Sequence, residues 1–235
     1  MTNLSSLIEQ LAQFDSPTIS NAIESFDIRD RTEGYTGMHI ECQFPDLKPM
    51  VGFAVTCTMD TTTRGPRRGG RLDEFLELLA AAQKPSIVVI QDVGSDSGRS
   101  CFSGDLACAS YQSLGAVGLV QDGGVRDLPG IRNACPNFHV FSPGSVVSHG
   151  NGARLELNVP VSIGGLSINP GDLLHGDLNG IVAIPREIIE PVIEQSEAVR
   201  NAEQAVLSKI KGGLDLEDLK STLIGADLTN KQPRS

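Results

Sequence analysis

The residues with the clearest capacity for chemistry are Arg126 and Asp127, which follow the paired-glycine turn Asp122-Gly123-Gly124-Val125. The guanidinium of Arg126 is a planar, permanently charged fork that suits a carboxylate or a developing enolate oxygen. Asp127 offers the hard oxygen ligands that Mg²⁺ and Mn²⁺ prefer. The pair therefore predicts a metal-assisted site for a small-molecule 2-oxo acid.

A second group of candidate residues, Gly104-Asp105-Leu106-Ala107, precedes this pair and opens a predicted helix. Glycine lets a ligand approach the backbone closely, and free amides of Leu106 and Ala107 at a helix start can receive a carboxylate. In an open α/β sheet, ligands gather at the carboxyl ends of strands and at the amino ends of the following helices. We therefore expect this segment to share one site with Arg126.

The residue types alone leave other roles open for the Arg126-Asp127 pair. An arginine and an aspartate after a glycine turn also form plain structural salt bridges. A nucleotide site finds less support, because the sequence has neither GxxxxGK[ST] nor a GxGxxG between a strand and a helix. The residue types alone therefore leave both a functional and a structural interpretation of Arg126-Asp127 open.

The elements that must position these residues alternate between helices and strands. A strand that ends near Val120 leads into the glycine turn, and the helix that opens at Asp105 precedes this strand. Such alternation is typical of an α/β fold. The predicted elements of this part are helices Leu72–Gln83, Asp105–Leu114 and a short one after Pro129, with strands Val51–Met59, Ile87–Val93, Val117–Val120 and Phe138–Phe141.

The two ends of the chain are predicted to be helical. Two short helices open the protein, Leu4–Phe14 and a second from the start signal Asp15-Ser16-Pro17 to about Ser25. A long amphipathic helix, Glu187–Lys211, closes the fold, and polar Thr229–Ser235 is expected to fray. We predict one domain over 1–235, with N-terminal helices in 1–27 and a C-terminal helical region in 186–228.

The region after Gly150 has short strands with glycine and proline turns between them. This pattern is typical of antiparallel or mixed pairing. The strands predicted there are Leu155–Ile163, Leu166–Ile168 and Ile181–Ile184, joined by Gly164-Gly165 and Pro170-Gly171-Asp172.

The charge balance excludes several classes of partner. A net charge of −10 and an isoelectric point near 4.8 argue against nucleic acid, because phosphate binding needs a basic surface. No apolar run approaches the roughly 18 residues of a membrane span, and no secretory signal is seen, so we expect a cytoplasmic protein without membrane contact.

The basic cluster Arg64–Arg71 is either a solvated loop or an anion-collecting lid for acidic substrates.

The cysteines and histidines do not indicate a zinc site or a disulfide framework. The five cysteines are odd in number and lack paired short spacing, and the four histidines stand singly without HxH or HExxH. Cys57 and Cys108 lie among apolar or small neighbours and are interpreted as reduced core residues.

Taken together, these residues resemble the RraA-like family, which includes 4-hydroxy-4-methyl-2-oxoglutarate aldolases, oxaloacetate decarboxylases and a regulator of ribonuclease E. The most specific element is an aspartate, twenty intervening residues and Arg-Asp, which Asp105 and Arg126-Asp127 match. A second signature is similar to Asn169-Pro170-Gly171-Asp172 with Gly176-Asp177 to Ile184-Pro185. One departure is Asn179, where the family frequently has an aspartate.

The resemblance implies a fold and a role for each candidate residue. The fold would be a compact domain with a mixed central sheet, like the β/β/α swivelling domain, flanked by helices. Asp127 would bind Mg²⁺ or Mn²⁺ directly and Asp105 would bind it through water. Arg126 and the amides of Leu106 and Ala107, beside Gly104, would receive the pyruvyl group, with Arg126 and Asp105 catalytic. Glu203 of a neighbouring subunit would approach the metal waters in a homotrimer or homohexamer.

The activity implied is that of a lyase which cleaves a 4-hydroxy-2-oxo acid to pyruvate and another oxo acid, and which decarboxylates oxaloacetate through the same pyruvate enolate. Two alternatives stay open: a non-catalytic regulator that binds ribonuclease E or another protein, and an enzyme with the same metal site and a different sugar-acid or 2-oxo-acid substrate. Asp127 favours an enzyme, because the resembling regulator lacks this acid.

Overall fold

The computed structural model describes residues 4–64, 72–99 and 101–225. The strands are β1 (Glu41–Cys42), β2 (Met50–Asp60), β3 (Ser86–Asp92), β4 (Cys101–Ser103), β5 (Ala116–Gln121), β6 (Gly124–Val125), β7 (His139–Ser142), β8 (Ala153–Leu157), β9 (Val161–Ile163), β10 (Leu166–Ile168), β11 (Leu173–Asp177) and β12 (Gly180–Ile184). The helices are α1 (Leu4–Leu11), α2 (Ser16–Glu24), α3 (Leu72–Ala81), α4 (Asp105–Ser113), α5 (Leu128–Ala134), α6 (Ile189–Lys211) and α7 (Leu216–Gly225).

The central sheet is mixed, with the strand order β1-β7-β5-β3-β2-β11-β12 and β8 also paired with β2. Strands β2, β3, β5 and β7 run parallel to one another, whereas β1, β8 and β11 are antiparallel to their neighbours. The connections between the parallel strands carry α3, α4 and α5, as parallel pairing requires. The parallel part therefore has a carboxyl edge at which the ends of β2, β3 and β5 meet.

The segment 35–42 connects the two sides of this sheet and nearly closes it. At one side Tyr35 forms a bridge to Val182, and the amide of Thr36 donates to the carbonyl of Ile181 at 2.9 Å. At the other side β1 pairs with β7. Because one short segment reaches both edge strands, the sheet curls towards a closed form and leaves little free edge.

Both faces of the sheet are buried. Helices α3, α4 and α5 cover one face of the parallel strands through residues such as Phe75, Tyr111 and Ile131, and the β9–β10 hairpin covers the opposite face. Helices α1, α2 and α6 form a separate apolar cluster with β2, β11 and β12. Strand β2 is accordingly buried along almost its whole length, as expected of a strand covered on two sides.

Helix α2 is fixed to the sheet by polar contacts of Ser16. Asp15 caps α2 by accepting from the amide of Thr18 at 2.8 Å. The amide of Ser16 donates to Asp177 Oδ2 at 2.8 Å, and its hydroxyl lies 2.9 Å from Nδ1 of buried His175. These contacts join the start of α2 to β11, and burial lowers the pKa of His175, so its imidazole stays neutral near pH 7.

The mixed α/β fold and the long C-terminal helix predicted from the sequence are confirmed. One predicted strand is wrong: Leu155–Ile163 is two strands, β8 and β9, paired with different partners. The break lies at Asn158, which has a positive φ of 57°, and at Pro160, which has no amide for a ladder. Predicted helix Glu187–Lys211 begins later, at Ile189, after a 3₁₀ turn at Arg186–Ile188.

Several short elements were not predicted. Strands β1, β4 and β6 have two or three residues each, too few for a periodic pattern. Strand β11 follows directly on the Pro170-Gly171-Asp172 turn, and its sequence includes His175 and Asp177, whose polar side chains are buried against α2. Helix α7 lies within the predicted C-terminal helical region 186–228, but the break between it and α6 at Gly213, which has a φ of +86°, was not predicted.

All five cysteines are free, and Cys57 and Cys108 are buried in the core as predicted. Burial raises the pKa of the Cys57 thiol to about 12, so this side chain is an uncharged packing residue. Among the described helices, none combines the length and the apolar content that a membrane span requires. Of the basic cluster Arg64–Arg71, only Arg64 lies among the described residues, and Thr229–Ser235 lies outside them.

Candidate functional site

The turn that presents Arg126 begins where β5 ends. The side chain of buried Gln121 donates from Nε2 to the carbonyls of Gly123 and Gly124, at 3.3 and 2.6 Å. Strand β6 then pairs with β4, and the amide of Arg126 donates to the carbonyl of Ser103 at 3.2 Å. The glycine turn is thus buried and hydrogen-bonded at both ends, which gives the following residues a fixed starting point.

Asp127 occupies the cap position before α5 in a left-handed conformation, with φ 58° and ψ 34°. Outside glycine this conformation costs roughly 1 kcal/mol or more, and such residues cluster at functional sites. Its carbonyl accepts from the amide of Ile131 at 2.8 Å, but its carboxylate caps no amide of α5 among the described residues. The carboxylate therefore lies at the start of a helix without capping that helix, which is the usual role of an aspartate in this position.

Arg126 and Asp127 form an ion pair, with 3.3 Å between Nε and Oδ2. Their side chains are 36% and 44% exposed, and ion pairs at such exposure contribute about 0 to 1 kcal/mol. Arg126 and Asp127 thus have the geometry of a structural salt bridge, as one interpretation of the sequence predicted. This salt bridge contributes little to the stability of the fold. Both groups also face solvent, where a ligand can reach them.

The start of α4 packs directly against this pair. A Cβ placed on Gly104 would lie 2.6 Å from Asp127 Oδ2 and 3.4 Å from Arg126 Nε. Reciprocally, a Cβ on Gly130 in α5 would lie 3.0 Å from Asp105 Oδ2. The structure therefore brings Gly104, Asp105, Arg126 and Asp127 into one place, as the sequence predicted, with a glycine facing each carboxylate.

The amide of Leu106 differs from the expectation that it is free. It donates to Asp105 Oδ1 at 2.7 Å, because an aspartate at the first position of a helix can reach the next amide. A ligand carboxylate at this helix start would have to displace Asp105 from Leu106. Leu106 itself is 83% exposed.

The residues present suit a Mg²⁺-type ion. Within the described ranges no group of three or more His, Cys, Asp or Glu side chains could hold a metal. Zinc is ordinarily held by three or four such ligands, whereas Mg²⁺ keeps several waters and binds through one or two carboxylates together with substrate. Asp127, with Asp105 nearby, matches the second pattern.

Glu203 lies on α6, away from this site in the chain. Its Oε1 accepts from Asn21 Nδ2 on α2 at 3.2 Å, and α6 packs with α1 and α2. No contact joins Glu203 to Asp127 in the described part of the chain. A role for Glu203 at the metal would need a second subunit, and this stays a prediction.

Asn179 has a local role in the turn between β11 and β12. Its backbone amide and its side-chain amide both donate to Asp177 Oδ1, at 2.8 and 3.1 Å. An aspartate could not donate the second bond. The departure from the family pattern thus supports Asp177, whose other oxygen accepts from Ser16, and it does not touch the candidate site.

Two acidic residues beside the site were not singled out from the sequence. Asp92 ends β3 and Asp122 follows β5, and the amide of Asp92 donates to Asp122 Oδ1 at 2.6 Å. Burial, above all, and the neighbouring charge of Asp92 raise the pKa of Asp122 to about 6. Their position after buried parallel strands was the available signal, since such positions meet at one edge of a sheet.

We expect Gly104→Ala to weaken Mn²⁺ binding by at least about tenfold, as changes beside a metal ligand commonly do. The new methyl group would overlap Asp127 Oδ2 and force the carboxylate aside. Calorimetric titration with Mn²⁺ measures the effect. Gly98→Ala is the matched control, because its Cβ meets only an ordinary contact at 3.5 Å. Equal affinity in the two variants would contradict this arrangement of Gly104 and Asp127.

A family model described as Aldolase/RraA, of the RraA-like family, matches residues 16–183. Protein DlpA of Legionella pneumophila is 27% identical over 219 residues, covering 91% of this chain and 33% of that protein. A protein of Halalkalibacterium halodurans is 31% identical over 122 residues, covering 52% of this chain and 57% of its own length. Its name describes it as a proposed 4-hydroxy-4-methyl-2-oxoglutarate aldolase. The chain thus spans about a third of the first relative and under two thirds of the second.

Solved structures agree with the fold. An uncharacterized protein from Pseudomonas syringae superimposes with a TM-score of 0.72 at 24% identity, covering 94% of this chain and 96% of its own. RraAS2 of Streptomyces coelicolor, described as an unusual member of the RNase ES inhibitor RraA family, gives a TM-score of 0.64 at 21% identity, covering 89% and 98%. At these identities the likeness shows the shared fold.

Proposed function

The chain belongs to the RraA-like family, and from this premise we propose that it is a divalent-metal-dependent lyase of the class II aldolase type. Its substrate would be 4-hydroxy-4-methyl-2-oxoglutarate or a related 4-hydroxy-2-oxo acid, cleaved to pyruvate and a second oxo acid. The observation that carries the proposal is the side-by-side presentation of Arg126 and Asp127 over Gly104. The names of relatives such as the Halalkalibacterium protein support the same reaction class.

Asp127 would hold the metal directly, and Asp105 would hold it through water. A bound Mg²⁺ or Mn²⁺ supplies Lewis acidity that draws electrons from the 2-oxo carbonyl. The left-handed backbone at Asp127 would set the direction of its side chain before substrate arrives, and Gly104, which has no Cβ, leaves room for the carboxylate. Such preorganisation avoids rearrangement during the reaction.

Arg126 would orient the substrate and then stabilise the product enolate. Its guanidinium can pair with the substrate carboxylate and with the 2-oxo oxygen, on which negative charge grows as the C–C bond breaks. Asp127 holds Nε of the guanidinium at 3.3 Å, which leaves the terminal nitrogens for the substrate. Arg126 therefore acts most strongly where charge develops.

Asp105 would take part in proton transfer at the C4 hydroxyl. A water held by its carboxylate would take that proton while passing one of its own to Asp105, the C3–C4 bond would break, and its electron pair would enter the pyruvate enolate while C4 becomes a carbonyl. Return of the proton from Asp105 through water to C3 would then give pyruvate. In this role Asp105 exchanges its bond to the Leu106 amide for contact with water or substrate.

Oxaloacetate would be decarboxylated through the same enolate, with carbon dioxide as the leaving fragment and without a hydroxyl proton to remove. We therefore expect Asp105→Ala to lower aldol cleavage by on the order of a hundredfold and decarboxylation by less than about tenfold. Pyruvate release from the two substrates, measured side by side, gives the ratio. Equal losses with both substrates would contradict this role of Asp105.

The experiment that tests the proposal is pyruvate release from oxaloacetate and from 4-hydroxy-4-methyl-2-oxoglutarate, each with Mg²⁺, with Mn²⁺ and with EDTA. Release that requires metal would support the lyase and rank the two substrates. No release from either would favour a different 2-oxo or sugar acid. If the protein releases no pyruvate but captures ribonuclease E from a lysate, a non-catalytic regulator would be favoured instead.

The proposal extends to the assembly and the location. We infer a cytoplasmic homotrimer or homohexamer in which Glu203 of the partner subunit approaches the metal waters. Sedimentation of the purified protein tests the assembly. A monomer that still releases pyruvate at full rate would exclude this role of Glu203.

A further inference from the structure

The side chain of Asp122 joins the carboxyl ends of β3 and β5 by accepting from the backbone amide of Asp92. Asp92 is the last residue of β3 and is buried, and Asp122 is the first residue after β5 and is partly buried. The amide of Asp92 donates to Asp122 Oδ1 at 2.6 Å. This bond connects the first residue of the glycine turn to the neighbouring strand.

The partner residue Asp92 is itself fixed. Its Oδ2 accepts from the Thr61 hydroxyl at 2.5 Å, and its Oδ1 accepts from the amide of Gly94 at 2.8 Å. Thr61 follows the end of β2, so three adjacent strand ends share one hydrogen-bonded network. Asp122 therefore attaches the turn to a rigid part of the sheet.

The turn is held on its other side by backbone contacts. The amide of Val125 donates to the carbonyl of Gly144 at 3.0 Å, and the amide of Arg126 donates to Ser103. Gly123, Gly124 and Val125 are all buried. Asp122 supplies the attachment at the start of this turn, four residues before the guanidinium and five before the carboxylate of the candidate site.

We propose that Asp122 is a positioning residue, whose Oδ1 acceptor fixes the turn to β3 and thereby sets the placement of Arg126 and Asp127. The acceptor oxygen carries this role, and the negative charge does not. The inference rests on the proposed function for its activity readout, whereas its structural readouts are independent of any reaction.

The charge of Asp122 costs stability in the fold. Burial above all, together with the charge of Asp92, raises its pKa to about 6, although the bond from the Asp92 amide and the nearby His39 act in the opposite direction. The folded protein thus binds this proton more tightly than the unfolded chain does. The contribution of Asp122 to the free energy of unfolding therefore falls as the pH rises from about 4 to about 6. An asparagine keeps the acceptor oxygen and removes this cost.

The test compares Asp122→Asn with Asp122→Ala and uses Asp60→Ala as the matched control. Asp60 ends β2 nearby, and its Oδ1 accepts from the amides of Thr62 and Thr63, outside the turn. The first readout is hydrogen–deuterium exchange of the peptide that covers 122–130. The second is Mn²⁺ affinity, and the third is kcat and KM for pyruvate release.

We expect Asp122→Ala to exchange faster in 122–130, to bind Mn²⁺ at least about tenfold more weakly and to lose kcat by about ten- to a hundredfold. Asp122→Asn should keep exchange, affinity and kcat within about threefold of the wild type, and should raise Tm at pH 7. The Asp60→Ala variant should keep Mn²⁺ affinity and leave exchange in 122–130 unchanged.

Two results would overturn the inference. If Asp122→Asn is as impaired as Asp122→Ala, the charge is required and the residue is not a positioning acceptor. If Asp122→Ala exchanges like the wild type, the turn does not depend on it. Should the wild type release no pyruvate at all, the proposed function fails while the exchange measurement still decides the role of Asp122.

Discussion

Asp127→Asn should lower pyruvate release from both oxaloacetate and the 4-hydroxy-2-oxo acid by at least about a hundredfold, because a metal's Lewis acidity is worth several kcal/mol of transition-state stabilisation. Asparagine has nearly the same shape as aspartate and also tolerates the φ of 58° at this position. Its neutral amide is a poor direct ligand for Mg²⁺ or Mn²⁺. The measurement is kcat and KM with each substrate at saturating metal.

The fold should survive this substitution. The backbone bond from Ile131 to the carbonyl of residue 127 does not involve the side chain, so Tm should change by less than about 3 °C. Asp218→Asn, on the exposed surface of α7, serves as the charge-matched control. Turnover of Asp127→Asn within tenfold of the control, or a loss with only one substrate, would argue against a shared metal ligand.

Arg126→Ala is expected to lower turnover by on the order of a hundredfold or more, since one preorganised donor to a developing oxyanion contributes roughly 3 kcal/mol. The loss should appear in kcat as well as KM, because the enolate charge exists only after bond breaking begins. Arg126→Lys should recover only part of the rate, as it keeps the charge and loses the planar fork. Steady-state kinetics on both substrates provide the measurement.

Arg200→Ala is a suitable control for the loss of an arginine. Arg200 lies on α6, remote in sequence from the glycine turn, where it pairs with Glu197 and its guanidinium lies over the ring of Phe14. Its removal changes surface charge by the same amount. If Arg126→Ala retained turnover within tenfold of this control, Arg126 would not be the enolate-binding group.

The sequence was most informative where long elements flank the site. Strand β5 and helix α4 have apolar spacing that identifies them, and the Asp105 to Arg126-Asp127 spacing places both motifs at adjacent helix starts. Asp127 and Gly104 then meet because the N-termini of α4 and α5 pack against one another. The apolar pattern predicted these elements, whereas the roles given to Asp105 and Asp127 come from the family resemblance and stay predictions.

Other features depend on partners that lie far away in the chain. The bond from the Asp92 amide to Asp122 joins two different strand ends, and β4 acquires its strand conformation by pairing with β6. The break at Asn158 follows from separate partners for β8 and β9. The periodicity of one sequence gives no information about such pairings. The prediction therefore merged β8 and β9 into one strand and gave Asp122 no role.

The left-handed backbone at Asp127 also bears on how proteins of this fold diverge. Few side chains are tolerated there, and asparagine, one of them, is a single base change from aspartate in the genetic code. One transition would therefore remove the proposed metal ligand while Arg126 and the glycine turn remain. A lineage could in this way lose the proposed lyase activity in one step and keep an intact scaffold on which selection for protein binding can act.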